Sequence, residues 1–123
     1  MDYKIELIIL PVSDVDRAKE FYADKVGFVV DHDQRVSDHL RFVQLTPPGS
    51  ACSIAFGEGL VDTPPGSVHG LQIVVADADA AHADLSARGV PVSAVEDLAW
   101  GRFVYFSDPD GNAWALQQLP QRG

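Results

Sequence analysis

Residues able to do chemistry are few and scattered along the chain. There are four histidines, His32, His39, His69 and His82, and one cysteine, Cys52. His32 and His39 form a His-x₆-His pair flanking an acidic turn. In a polar loop such a pair reads as solvated rather than metal-bound. His82 falls on a helical stretch with Asp79 three residues before it. Cys52 lies in an alternating, strand-like run with no flanking histidine, so it reads as buried filler and not as a nucleophile. No Ser-His-Asp arrangement, glycine-rich phosphate loop or Cys-x-x-Cys spacing is present, and Gly57-Glu58-Gly59 alone is a loop.

The elements that must position these residues alternate strand and helix. A strand over Tyr3 to Val12, rich in Ile and Leu, is broken by Pro11. Ser13 or Asp14 can cap the helix that follows, whose apolar face carries Val15, Ala18, Phe21 and Tyr22. Gly27 ends it and Phe28-Val29-Val30 opens a strand. Strands over Leu40 to Thr46 and Ala51 to Gly57 are separated by the turn Pro47-Pro48-Gly49-Ser50. After the breaker-rich residues 59–67 the order recurs. A strand His69 to Ala76 leads to Asp77 as cap, a helix ending at Gly89, and strands Val90 to Val95, Arg102 to Ser107 and Asn112 to Leu119. Asp108-Pro109-Asp110-Gly111 makes the last turn.

The recurrence is exact enough to check. Val12-Ser13-Asp14-Val15-Asp16-Arg17-Ala18 matches Val75-Ala76-Asp77-Ala78-Asp79-Ala80-Ala81 at a constant offset of 63. Duplication changes the expected fold. It predicts an α+β domain spanning residues 1–123, in which two pseudo-symmetric βαβββ modules form a curved mixed sheet with a concave ligand-binding face. Module one takes about residues 1–58, a linker about 59–67, and module two about 68–119.

Composition bounds what such a domain can meet. A chain of 123 residues with 46% hydrophobic content suits one core. No apolar run is long enough to span a bilayer, and the N-terminal run reads as a strand rather than a signal peptide. Nine Lys plus Arg against 18 Asp plus Glu give a formal net charge of −9. That charge repels phosphate backbones and anionic lipids, so neither nucleic acid nor membrane is expected as a partner. One cysteine allows no internal disulfide, which suits the cytoplasm.

Three segments carry a family resemblance: PVSDVDRAKEFY followed by Gly27-Phe28, then VVADADAAHADLSARGV, then FSDPDGNAWAL. Together they resemble the vicinal oxygen chelate superfamily, which includes glyoxalase I, extradiol dioxygenases and bleomycin-resistance proteins. The resemblance covers nearly the whole chain and implies paired βαβββ modules, commonly in a homodimer, with pockets in the curved sheets. It leaves the chemistry open, since one fold carries several functions.

Metal-dependent members supply His, Gln or Glu from the first strand of each module and Glu or His from the last. Carried over to this chain, those positions are Leu7, Ala55, Gly70 and Ala115. None of these side chains can replace water around a divalent metal. A shift of one residue offers Glu6 and His69, but the last strands then provide Trp114 or Leu116. The expectation is therefore no metal and no cofactor.

Strand alternation assigns the inward face. With the ligand-equivalent positions inward, that face holds Leu7, Ile9, Ser53 and Ala55 from module one. Module two contributes Gly70, Gln72, Ala113, Ala115 and Gln117, together with Val74. Phe103 and Tyr105 face inward if their strand pairs with the last one, and Trp100 can close over the mouth. Ile9 and Val74 read equally well as core, whereas the five small residues Ser53, Ala55, Gly70, Ala113 and Ala115 leave space that tight packing would close. Trp114, Phe56, Phe21 and Phe106 alternate to the other side, under the helices.

A small-residue floor, an aromatic wall and a few amides suit flat or apolar ligands. The favoured reading is a metal-independent binding protein that sequesters an aromatic or cationic natural product or antibiotic, conferring resistance by capture. The alternative is a glyoxalase- or dioxygenase-like lyase or isomerase. It would be metal-free, with Tyr105, His69 or Glu6 as acid or base, or would use metal ligands placed elsewhere. A general base needs a tuned pKa and reach to its proton.

Overall fold

Both helices begin where a carboxylate can cap them. Asp14 and Asp77 sit in extended backbone, and each accepts the amide three residues on, from Arg17 and Ala80 at 3.1 Å. In the computed structural model, which describes residues 1–121, α1 covers Val15–Glu20 and α2 covers Ala78–Ala87. Helix α1 continues into a wider π-helical turn, Phe21–Val26. The amides of Gly27 and Phe28 both reach back to the Tyr22 carbonyl. Gly27 closes the turn at φ 93°, a left-handed value that favours glycine. The widening lets two consecutive aromatics, Phe21 and Tyr22, both point into the core.

Eight strands form two four-stranded sheets. The first contains β1 (Leu7–Ile9), β2 (Val29–Ser37), β3 (Leu40–Thr46) and β4 (Ser53–Glu58), in the order β1-β4-β3-β2. The second contains β5 (Leu71–Val74), β6 (Glu96–Leu98), β7 (Gly101–Ser107) and β8 (Ala113–Gln118), in the order β5-β8-β7-β6. Each first strand runs parallel to its last, and all other pairings are antiparallel. Each half is thus a βαβββ unit, although the strands divide between two hydrogen-bonded sheets instead of one.

Several bounds differ from the sequence reading. Regular pairing of β1 is confined to Leu7–Ile9, with Tyr3 and Ile5 exposed. Strand β2 runs through nine exposed residues to Ser37, so His32 lies within a strand and not beside a turn. Val90 to Val95 is not a strand. The Val90 amide closes α2 by donating to Leu85 O, and the strand forms later, at Glu96–Leu98, where β7 lies alongside.

One hydrophobic cluster draws on both halves. Tyr22 sits at its centre, 5.8 Å from Phe56 of the first sheet and 5.9 Å from Trp114 of the second, between ring centroids. Trp114 stacks on Phe106 with planes 2° apart. Truncating such a ring to alanine typically costs about 3–5 kcal/mol. All four aromatics expected under the helices, Phe21, Phe56, Phe106 and Trp114, belong to this buried cluster.

Polar groups join the halves as well. Asn112, fully buried, donates through Nδ2 to Pro11 O at 3.0 Å and to Asp108 at 2.8 Å, while its Oδ1 accepts from the Val68 amide. Asp108 Oδ1 accepts the amides of Asp110, Gly111 and Asn112. The Asp-Pro-Asp-Gly-Asn run is therefore a clamp between modules. Among the described residues, no buried side-chain nitrogen or oxygen lacks a partner.

Candidate ligand-binding face

The face opposite the helices is set by register. Leu7 pairs with Ser53 and Ile9 with Ala55 in the first sheet. In the second, Gln72 pairs with Ala115, Val74 with Gln117, Tyr105 with Ala115 and Phe103 with Gln117. Residues paired directly across strands share a face, so each sheet brings its own expected inward residues together. Phe103 and Tyr105, two apart on β7, hold their rings nearly parallel, 7° between planes and 6.0 Å between centroids. Of the two, Phe103 is buried and Tyr105 is partly exposed.

Beside Tyr105 lies an open cleft of about 620 Å³. Four residues expected from alternation line it: Gly70, Tyr105, Ala113 and Ala115. Four others were not expected there: Pro91, Phe106, Ser107 and Trp114. Ser107 follows Tyr105 at the same alternation, so extending the pattern one step would have found it. Pro91 lies in irregular chain, where alternation is silent. Gly70 has φ 85°, and a Cβ built on it would meet nothing within 4 Å. The position is open space.

The remaining expected residues sit elsewhere. Ser53 and Gln72 line a second cavity of about 200 Å³ at the seam between the halves, with Gly70 and Trp114 common to both cavities. Ala55 and Phe103 are buried in their sheets, while Leu7 is half-buried beside Ile9, 37% exposed. Val74 is exposed. Trp100 is 61% exposed at the end of the β6–β7 turn, and Gln117 Nε2 donates to Trp100 O at 2.8 Å, tying that turn to β8. Cys52 is half-buried at the seam cavity rather than packed as filler.

Tyr105 faces the large cleft with its phenol pKa raised, first by burial and then by the charge of Glu96. It stays protonated at neutral pH and is placed to donate a hydrogen bond rather than to act as a base. His69 and Glu6 are exposed, and neither lines the cleft.

The four metal-equivalent positions do not fit a metal. Leu7, Ala55, Gly70 and Ala115 carry no donor atom, and their cross-strand neighbours add the hydroxyl of Ser53, the phenol of Tyr105 and the amides of Gln44 and Gln72, with no imidazole or carboxylate among them. Among the described residues, no three His, Cys, Asp or Glu side chains come together to hold an ion. His32 and His39 are exposed on β2 and the turn after it.

Two arginines each hold two carboxylates. Arg41 bridges Asp33 and Asp16 at 2.9 Å, and Arg102 bridges Asp79 and Asp97 at 2.7 and 2.6 Å. These pairs join each helical layer or β6 to its own sheet.

A sequence model of the Glyoxalase/Bleomycin resistance protein/Dioxygenase superfamily matches residues 4–116. The chain belongs to that superfamily. Among solved structures of the superfamily's fold, TnmS3, an antibiotic binding protein from Streptomyces sp. CB03234, is 39% identical. The match covers 97% of this chain and 98% of that one, with TM-score 0.87. A glyoxalase/bleomycin resistance protein from the same organism is 41% identical, with coverage of 94% and 100% and TM-score 0.82. The uncharacterized protein YetH of Bacillus subtilis (strain 168) is 25% identical, over 94% of this chain and 98% of its own length. No helix here is long and apolar enough to cross a membrane among the described residues.

Proposed function

We propose that this protein is a metal-independent small-molecule-binding protein that sequesters an aromatic or cationic natural product or antibiotic. The observation that carries the reading is the cleft of about 620 Å³ floored by Gly70, Ala113 and Ala115 and walled by Tyr105. Its volume falls in the range of sites for drug-sized ligands. Two of its floor residues, Gly70 and Ala115, stand at positions where metal-dependent relatives place ligands. The likeness to TnmS3, an antibiotic binding protein, supports capture over turnover.

The cleft is open within one chain, and apolar side chains lie bare on the same faces, among them Ile9, Val74, Tyr105 and Trp100. A second copy of the chain, related by a two-fold axis, would cover them and complete the enclosure. Ligand capture is tested by titrating the pure protein with a panel of aromatic antibiotics while following Trp fluorescence. Saturable quenching by at least one compound is expected. A flat response across the panel would sink the reading.

A further inference from the structure

The seam cavity has a hydrogen-bonding sense that follows from two relays. In the first, Thr46 Oγ1 donates to the Asp31 carboxylate and lies 2.7 Å from Ser53 Oγ. A carboxylate at neutral pH only accepts, and a hydroxyl has one hydrogen. Thr46 has given its hydrogen to Asp31, so Ser53 must donate to Thr46. Ser53, 5% exposed, is left with acceptor lone pairs alone.

In the second relay, Gln117 Nε2 donates to the Trp100 carbonyl, which can only accept. That fixes the Gln117 amide, turning Oε1 toward Gln72, whose Nε2 donates to it. Gln72 Oε1 then has no partner among the described residues. Ser50, also lining the cavity, has given its hydrogen to Cys52 O. Every hydroxyl hydrogen at the seam is committed, and the second amide hydrogen of Gln72 is the one side-chain N–H left against several open acceptors.

We propose that the seam cavity is a second subsite that takes a hydroxyl or protonated amino substituent of the ligand, and that Ser53 and Gln72 are its specificity-determining residues. This rests on the binding reading above, since the seam cavity adjoins the large cleft, Gly70 and Trp114 lining both. The ring system occupies the cleft and its donor reaches the seam. A ligand with only acceptors at that point sets its lone pairs against those of Ser53 Oγ and Gln72 Oε1, with the single remaining Gln72 N–H to receive them. The chain's net charge of −9 favours a cationic donor further.

The test uses two planar probes, 2,7-dihydroxynaphthalene and 2,7-dimethoxynaphthalene, with dissociation constants measured by calorimetry. The dihydroxy probe is expected to bind about tenfold or more tightly, against the greater hydrophobicity of the ether. In Ser53→Ala/Gln72→Met that preference should fall to about twofold. Gln72→Met alone, at an exposed position, should cut the preference at least about threefold, which keeps the test decisive if the double variant does not fold. Equal affinity for the two probes in the unaltered protein overturns the subsite while leaving the cleft intact, as does a preference that survives in the variants. Binding of neither probe overturns the cleft reading, and the subsite with it.

Discussion

The Trp114 indole N–H donates to Tyr22 Oη at 3.0 Å, and Tyr22 in turn donates to Asp108 at 2.8 Å, so one phenol ties the first helix to the last strand and its turn. Replacing Tyr22 with Phe leaves the ring packing and removes the link. A buried indole N–H then lacks its acceptor and Asp108 loses a donor, which costs about 1–3 kcal/mol. Urea unfolding should show that loss with an unchanged slope. Burial, and then the charge of Asp108, hold the Tyr22 pKa well above that of a free phenol. A group with a raised folded pKa gives stability that is whole below the unfolded value, about 10, and falls as pH rises past it. The unaltered protein should therefore lose stability above about pH 10, and Tyr22→Phe should flatten that limb.

At the acid end, Asp33 behaves in the opposite sense. Hydrogen bonds from Arg41 and then Lys19 hold its carboxyl below the usual range. Stability from a depressed carboxylate is present above its unfolded pKa of about 3.9 and lost as pH falls below it. The carboxylate is about a quarter exposed, so screening limits the loss in Asp33→Asn to about 1 kcal/mol at pH 7. Thermal melts from pH 7 to pH 2 should show the variant converging on the unaltered protein. Curves that stay parallel to the lowest pH would show that the pair does not contribute.

What could be read from the chain alone was what local chemistry decides. Asp14 and Asp77 announced themselves as caps because capping needs one side chain and the next three amides. Strand β3 was legible to the residue because Val43 and Leu45, both buried, alternate with Gln44 and Thr46. Strand β2 was not, since Asp31 to Ser37 is polar on both faces and becomes a strand only because β3 pairs with it. Val90 looked like strand and is used to close a helix. The seam relays were beyond reach for the same reason. Asp31, Thr46 and Ser53 lie on three different strands and meet only once β2, β3 and β4 adopt their register.

Metal content follows from the donor set. With Leu, Ala, Gly and Ala at positions 7, 55, 70 and 115, purified protein should carry no stoichiometric Zn, Ni, Mn or Fe by elemental analysis. About one metal per chain, removable only by strong chelation, would require ligands outside these positions and would reopen the enzymatic alternative.

Assembly is checked by light scattering. The bare apolar faces predict a species of about twice the 13.3 kDa chain mass at micromolar concentration. A monomer mass that does not change when a bound ligand is added would leave the cleft to work open on one side.

The sharpest test of the cleft is Ala115→Phe. Ala115 is half-buried, lies opposite Tyr105 in register and lines the cleft floor. A ring placed there occupies the space that the ligand needs. Tenfold in affinity is about 1.4 kcal/mol, the worth of only about 60 Å² of apolar contact, so binding of any aromatic ligand should fall by at least about tenfold. Folding should survive, because a side chain entering open space avoids the overpacking strain of a closed core. Ala115→Glu is the companion variant: it supplies one carboxylate among Leu7, Ala55 and Gly70, and one ligand of four should not create a metal site. Unfolding of Ala115→Phe would mean that the position is packed core and that the ligand face is reversed. A folded variant with unchanged affinity would move the site away from β8, toward the turn that carries Trp100.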